Sequence, residues 1–162
     1  MKAFATADLC DEFADALQVA QPIFREWGGA PRFGGPIATL RVFEDNALVR
    51  SVLETSGGGR VLVVDGGGSV RTALLGGNLA ALAARSGWSG VVLHGGIRDA
   101  AELAATPIGI RALAATPRKS GKIGAGERNV AVSFAGVTFE PGAFLYADGD
   151  GIVVAARELG AP

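Results

Sequence analysis

Two short stretches hold residues whose types and spacing suit chemistry. The first is Gly76-Gly77-Asn78-Leu79, just before an Ala/Leu-rich run that predicts a helix. Helix N-termini present unpaired N–H groups and a partial positive charge. Glycine lets a small anion approach those groups without a Cβ in the way. A carboxylate or a phosphate group suits such a recess. The spacing is not the G-x-G-x-x-G fingerprint, and the lysine of a P-loop is missing, so a small carboxylate is favoured over a nucleotide. The competing reading is a tight turn with Asn78 as the helix cap.

The second stretch is Gly96-Ile97-Arg98-Asp99-Ala100-Ala101-Glu102, after the apolar run GVVLH. Arginine offers a planar, permanently charged fork for a carboxylate or enolate oxygen. Asp99 and Glu102 are three apart and share a face of a short helix. Two carboxylates so placed can hold Mg²⁺ or Mn²⁺, one directly and one through water. The competing reading is a surface ion pair at a helix start. An anion cradle and a cation-binding turn at the ends of neighbouring strands would form one site, since open α/β sheets bind ligands there.

Other reactive groups are few. His94 ends its strand and is either a general base or a packed core residue. Asp65 also ends a strand, where it would cap the Gly66-Gly67-Gly68 turn or steady a site. Arg118, Lys119, Lys122 and Arg128 make a basic loop, either solvated or closing over an anionic site or a subunit contact. The three lysines are Lys2, Lys119 and Lys122, and none falls in an apolar strand where burial would favour Schiff-base chemistry. A single Cys (Cys10) forms no internal disulfide and fits a reducing cytosol. Cys10 and His94 are too few for a Cys/His zinc site, so any metal is a hard cation on carboxylates.

The elements that must position these groups follow from pattern. The chain has 162 residues, 49% hydrophobic and 19% charged, enough for a packed core in one domain, residues 1–162. A net charge of −1 gives no basic excess for nucleic acid. The start, MKAFATADLCDEF, lacks the apolar run of a signal peptide, and no stretch reaches the roughly 18 apolar residues of a membrane span. A cytoplasmic protein is expected. Residues 6–19 predict an amphipathic helix with Leu9, Phe13 and Leu17 on one face. Residues 36–43 predict a strand, and 46–54 a helix with Leu48 and Val52 inward. RVLVVD (60–65) and GVVLH (90–94) read as strands covered on both faces. Helices over 78–85 and 99–103 and a strand over 108–115 complete a parallel crossover unit. Residues 117–128 predict a loop. Short strands at 130–134, 137–139, 144–147 and 152–155 are separated by turn residues. The class is α/β, with a parallel centre and an antiparallel β-rich C-terminal part.

The runs TADLCDEF, VLVVDGGGSVRTALLGGNLA, GVVLHGGIRDAAEL, PRKSGKIGAGER and YADGDGIVV together resemble the regulator of ribonuclease E activity A family. That family includes metal-dependent 4-hydroxy-4-methyl-2-oxoglutarate aldolases. The resemblance runs from about Thr6 to Val154, and Gly77, Arg98-Asp99 and Glu102 fit the aldolase signature spacing. It implies a swivelling β/β/α fold and a ring-shaped homotrimer. It implies a class II aldolase that releases pyruvate by retro-aldol cleavage of a 2-oxo dicarboxylate and also decarboxylates oxaloacetate. The amides of Gly76, Gly77, Asn78 and Leu79 would hold the pyruvate carboxylate, and Arg98 the enolate oxygen. Asp99 would bind Mg²⁺ or Mn²⁺, with Glu102 in support through water. No side chain stands out as general base, so a water activated by the cation is the expected proton carrier. Other members inhibit ribonuclease E without catalysis, which is the alternative function. They can lack the acidic residue after the arginine, which this chain keeps. A binder of small anions or phospho-sugars using Gly76-Gly77 alone is a weaker alternative.

Overall fold

Turn residues cut the chain into short elements, and the computed structural model describes them over residues 3–160. Lys2 lies outside the described residues. In chain order the elements are α1 (Thr6–Phe13), β1 (Leu17–Val19), β2 (Arg25–Glu26), β3 (Phe33–Arg41), α2 (Ala47–Leu53) and β4 (Val61–Asp65). Then come β5 (Ala73–Leu75), α3 (Gly77–Arg85), β6 (Gly90–His94), β7 (Gly96–Ile97), α4 (Ala100–Ala104), β8 (Gly109–Ala112) and β9 (Ala114–Ala115). The last third holds β10 (Glu127–Arg128), β11 (Val132–Phe134), β12 (Val137–Phe139), β13 (Phe144–Asp148) and β14 (Gly151–Ala155). The expected mixed α/β architecture is present. Among the described residues, no helix is long and apolar enough to cross a membrane.

The main sheet runs β1-β14-β13-β3-β4-β6-β8-β2, with β10 added beside β3. Strand β3 joins its two halves. Residues 33–36 pair antiparallel with β13, and 37–41 pair parallel with β4. Parallel pairing continues through β6 to β8. Alternation assigns the two faces. Leu62, Val64, Val91 and Leu93 turn toward α2, α3 and α4, while Val61, Val63 and Val92 meet the β11–β12 hairpin and the β13–β14 pair. All seven side chains are fully buried, as strands covered on both faces require.

A second, three-stranded parallel sheet, β5-β7-β9, was not expected from the sequence. Its strands are two or three residues long, too short for any periodicity to show. Gly96 pairs with Ala73 on one side and Ala114 on the other. Gly76 follows β5 directly and Arg98 follows β7, so this small sheet sets their spacing.

Two helix expectations need correction. The first helix stops at Phe13, not residue 19; residues 14–16 form one 3₁₀ turn and Leu17 enters β1, opposite Ala155. Leu17 still packs on the cluster of Leu9, Phe144 and Tyr146, so its apolar spacing was real. The open edge of β14 offers it backbone bonds that a helix would forgo. In α2 the inward residues are Val49 and Leu53, fully buried, with Leu48 and Val52 partly buried beside them. Asn46 precedes the helix without a side-chain cap and donates instead to the Leu74 carbonyl.

Helix α1 is fastened by Asp148 at the end of β13. The Asp148 carboxylate accepts from the Thr6 N–H (2.7 Å), the Thr6 hydroxyl (2.6 Å) and the Asp150 N–H (3.0 Å). Burial pushes this carboxyl up, but those hydrogen bonds and nearby Arg32 hold it below the ordinary value. A carboxyl lowered on folding contributes stability that is complete above its unfolded pKa, about 3.9, and lost as pH falls through the folded value. Asp148→Asn is therefore expected to cost about 1–3 kcal/mol at neutral pH by denaturant unfolding. The gap to wild type should narrow below about pH 4; a gap independent of pH would contradict this account.

Candidate active site

The site assembles at the ends of the small sheet. After β5, Gly76 leaves the strand in extended backbone (φ −131°, ψ −171°) and α3 begins at Gly77. After β7, the Arg98 N–H donates to the Leu75 carbonyl at 3.0 Å, which lays Arg98 beside Gly76. Asp99 then takes a left-handed conformation (φ 59°, ψ 45°) that turns the chain into α4. Aspartate tolerates that region better than most residues, but the cost remains of the order of 1 kcal/mol. The Asp99 carboxylate accepts a hydrogen bond from the Gly77 N–H at 2.9 Å. One backbone donor at the start of α3 is thereby used. The N–H groups of Asn78 and Leu79 have no hydrogen-bond partner among the described residues.

Gly76, Asn78, Leu79, Arg98 and Asp99 line one cleft of about 220 Å³. The two stretches singled out in the sequence thus share a wall. At both glycines neighbouring side chains approach closely. A Cβ on Gly76 would stand 2.8 Å from Asp99 Oδ2 and 3.3 Å from Arg98 Cγ. A Cβ on Gly77 would collide with the Glu102 carboxylate. Gly77 is buried behind the wall, and Glu102 lies against it on the α4 side, outside the lining of the cleft.

The rest of the lining was not marked by either stretch. Asn46, Ala47 and Arg50 reach the cleft from the start of α2, and Lys119, Ser120 and Lys122 from the basic loop. Arg50 pairs with Glu54 at 3.0 Å. No carboxylate pairs with Arg98, Lys119 or Lys122 among the described residues. The cleft is therefore strongly cationic, with Asp99 as its one acid. For Lys119 and Lys122 the signal was the basic loop. For Arg50 the sequence held none, because it reads as an ordinary exposed helix residue.

His94 lies elsewhere. Its ring stacks on Phe134 with centroids 4.7 Å apart and planes within 4°. Its Nδ1 sits 3.7 Å from Asp65 Oδ1, and it does not line the cleft. Asp65 accepts from the Gly67 N–H at 2.9 Å and so caps the glycine turn. Arg128 donates to Ser51 Oγ, away from the cleft.

Among the described residues, no three His, Cys, Asp or Glu side chains gather to cage a metal. Asp99 alone offers a carboxylate to the cleft, with one oxygen carrying the Gly77 N–H. A single carboxylate suits a hard cation that keeps most of its waters and shares oxygens with an anionic ligand, as Mg²⁺ does. It does not suit zinc.

Residues 6–154 match the RraA-like family, described as Aldolase/RraA. A protein of Burkholderia multivorans named "Putative 4-hydroxy-4-methyl-2-oxoglutarate aldolase" is 58% identical over 161 residues, covering 96% of this chain and 98% of the relative. A Geobacillus kaustophilus structure described as an S-adenosylmethionine:2-dimethylmenaquinone methyltransferase is 56% identical, with a TM-score of 0.95 over 96% of this chain and 97% of that one. The RNA-processing inhibitor RraA from Thermus thermophilis is 53% identical, with a TM-score of 0.94 over 99% and 96%. One fold thus carries three descriptions, and the choice among them rests on the site.

Gly76→Ala isolates the steric argument, because the extended backbone there accepts any residue. If a small carboxylate such as pyruvate occupies the cleft, the variant should bind it about tenfold more weakly by calorimetry, with folding stability changed by under about 1 kcal/mol. Undiminished binding would show that the wall does not touch the ligand.

Proposed function

The chain belongs to the RraA-like Aldolase/RraA family, and from that premise we propose that it is a divalent-metal-dependent lyase releasing pyruvate. The substrates would be 4-hydroxy-2-oxo dicarboxylates of the 4-hydroxy-4-methyl-2-oxoglutarate type. Oxaloacetate would be decarboxylated in the same cleft, since both reactions pass through the pyruvate enolate. The observation that carries this reading is the shared wall: Arg98 and Asp99 line one cleft with the start of α3.

The N–H groups of Asn78 and Leu79 would donate to the carboxylate of the pyruvate moiety, where the helix dipole adds to the attraction. Arg98 would donate to the 2-oxo oxygen. Once a water takes the C4 hydroxyl proton, C4 becomes a carbonyl as the C3–C4 bond breaks, and the electron pair of that bond moves into the C2–C3 bond, so that negative charge collects on the 2-oxo oxygen. A guanidinium held there beforehand stabilises the transition state more than the ground state. Asp99 would hold Mg²⁺ or Mn²⁺, with Glu102 in support through water. The cation would supply Lewis-acid stabilisation of the same developing charge. Asp99 is kept in place by the Gly77 N–H, so its carboxylate need not reorganise.

The methyltransferase description finds no matching feature. A nucleotide fingerprint needs a glycine turn from strand into helix. Here Gly66–Gly68 leads from β4 to β5, and Gly76-Gly77, which does lead from β5 into α3, lacks the G-x-G-x-x-G spacing. Ribonuclease inhibition, suggested by the Thermus relative, is the second reading. It needs neither metal nor Asp99, and purified ribonuclease E in a pull-down would test it. A ring-shaped homotrimer belongs to the proposal as well. Val19, Ile23, Phe43, Val70 and Ile123 are exposed apolar side chains, some of which a subunit contact would cover. Sedimentation should give three times the 16.4 kDa chain mass.

The lyase is tested by pyruvate release with and without a chelator. Chelated wild type, Asp99→Ala and Arg98→Ala should each lose about 10²–10³-fold in kcat, with Mg²⁺ restoring only the wild type. Full rate in the chelated enzyme or in Asp99→Ala would end the metal-dependent reading.

A further inference from the structure

We propose that the cavity between the two ends of the main sheet binds an apolar α-amino acid, whose carboxylate pairs with the buried Arg111 and whose ammonium pairs with Glu26 and Asp150. The cavity holds about 370 Å³ and shares no lining residue with the cleft described above. The inference goes beyond the lyase reading and stands or falls without it.

Topology makes the cavity. Strands β1 and β2 stand at opposite ends of the main sheet, yet only residues 20–24 separate them in the chain. The sheet curls until its ends face each other without closing. The Ala20 N–H donates to the Ile152 carbonyl at 2.9 Å, which ties one end of this connection to β14. The Trp27 N–H donates to the Ile110 carbonyl at 3.0 Å, which ties the other end to β8. Val19, Ala20, Phe24, Ile152 and Val153 give the space between them apolar walls.

The charged end of the cavity is built on Arg111, which faces Glu26 across the β2–β8 pair. Arg111 is only 4% exposed. Its Nη2 donates to the Pro31 and Asp148 carbonyls, both at 2.9 Å, and so fixes the guanidinium. Its Nη1 is buried and has no hydrogen-bond partner among the described residues. Glu26 Oε2 stands 3.3 Å from Nη1 without accepting a hydrogen bond from it. A buried charged donor left unpaired is costly, and a carboxylate is its strongest acceptor. The Glu26 side chain is 41% exposed, so its own carboxylate has room to turn toward a ligand.

The surrounding charges define the ligand class. Glu26, Asp148 and Asp150 line the cavity against the one arginine. The Asp148 carboxylate is occupied by Thr6 and by the Asp150 N–H. Asp150 is exposed, and its carboxylate pairs with no cation among the described residues. A lone carboxylate ligand would be repelled by these acids, and a lone amine would leave Nη1 unpaired. An α-amino acid answers both, since its ammonium nitrogen and carboxylate carbon are two bonds apart, roughly 2.5 Å. Arg111 and Glu26 present the opposite charges at a similar spacing. Phe24 lies two residues before Glu26, about 7 Å along an extended chain. A leucine or phenylalanine side chain leaving the head group therefore runs onto the apolar walls.

The experiment is calorimetry on the full-length protein with L-leucine, L-phenylalanine, glycine, 4-methylpentanoate and 3-methylbutylamine. The last two are leucine without its ammonium and without its carboxylate. L-leucine or L-phenylalanine should bind at least about tenfold more tightly than glycine and than either analogue. Glu26→Gln/Asp150→Asn should lower the ratio of leucine to 4-methylpentanoate affinity by about tenfold. Both side chains are exposed, so this variant is expected to fold. Cys10, the single cysteine, lines the same cavity and reports the place of binding. Bound leucine should slow its alkylation by iodoacetamide, and the variant should lose that protection at the same leucine concentration. Wild type that binds neither L-leucine nor L-phenylalanine at millimolar concentration overturns the proposal, as does an analogue that binds as tightly as leucine. An unchanged ratio in the variant overturns it too, and so does binding that leaves Cys10 unprotected, which places the ligand elsewhere. None of these readouts uses pyruvate release, so failure of the lyase reading and failure of this one are told apart.

Discussion

The hydrogen bond from the Gly77 N–H to the Asp99 carboxylate joins two segments that the sequence keeps 22 residues apart. The bond offsets part of the cost of about 1 kcal/mol for holding Asp99 left-handed, and it aims the carboxylate along the wall of the cleft. It also uses one of the orphan donors of α3 and leaves its neighbours open. Glycine at 76 and 77 leaves room for the ends of the Asp99 and Glu102 side chains, which would have to shift if a Cβ were added at either position.

That arrangement stands on an unusual support. The long parallel strands β4 and β6 end in Asp65 and His94, paired in register, and those residues serve the glycine turn and the packing beneath it. The wall is carried instead by β5 and β7, two short strands stacked beyond the main sheet. Their few backbone bonds would be weak alone. They are stabilised because Leu74, Leu75 and Ile97 are buried in the same core as Leu62, Val64 and Leu93. Site geometry is thus a by-product of core packing, because the burial that holds β5 and β7 lies beneath the cleft.

The electrostatic character of the cleft comes from a third source. The strap over residues 118–124 brings Lys119 and Lys122 to the wall, and the buried Asp45 fastens it. Burial pushes the Asp45 carboxyl up, but the N–H groups of Ile123, Ala47 and Gly124 more than offset this and hold it below the ordinary value. An acidic residue is here the reason a basic pair keeps its place. The net charge of −1 for the whole chain hides a local field of the opposite sign.

Residue types alone determined much of this protein. RVLVVD and GVVLH read as strands covered on both faces, because short runs rich in β-branched residues suit a buried parallel sheet. Glycines before a helix, and an Arg-Asp pair after a Gly-Gly turn, marked two stretches that the fold brings to one cleft. Tertiary structure decided what local pattern does not encode. It ended the first helix at Phe13, because the free edge of β14 competes for Leu17–Val19. It built β5-β7-β9 from pieces too short to show a period. It turned Glu102 toward Gly77, set His94 against Phe134 and brought Arg50, Lys119 and Lys122 to one cleft. Each of these outcomes depends on contacts between residues distant in the chain, and such contacts are settled only when the whole core packs.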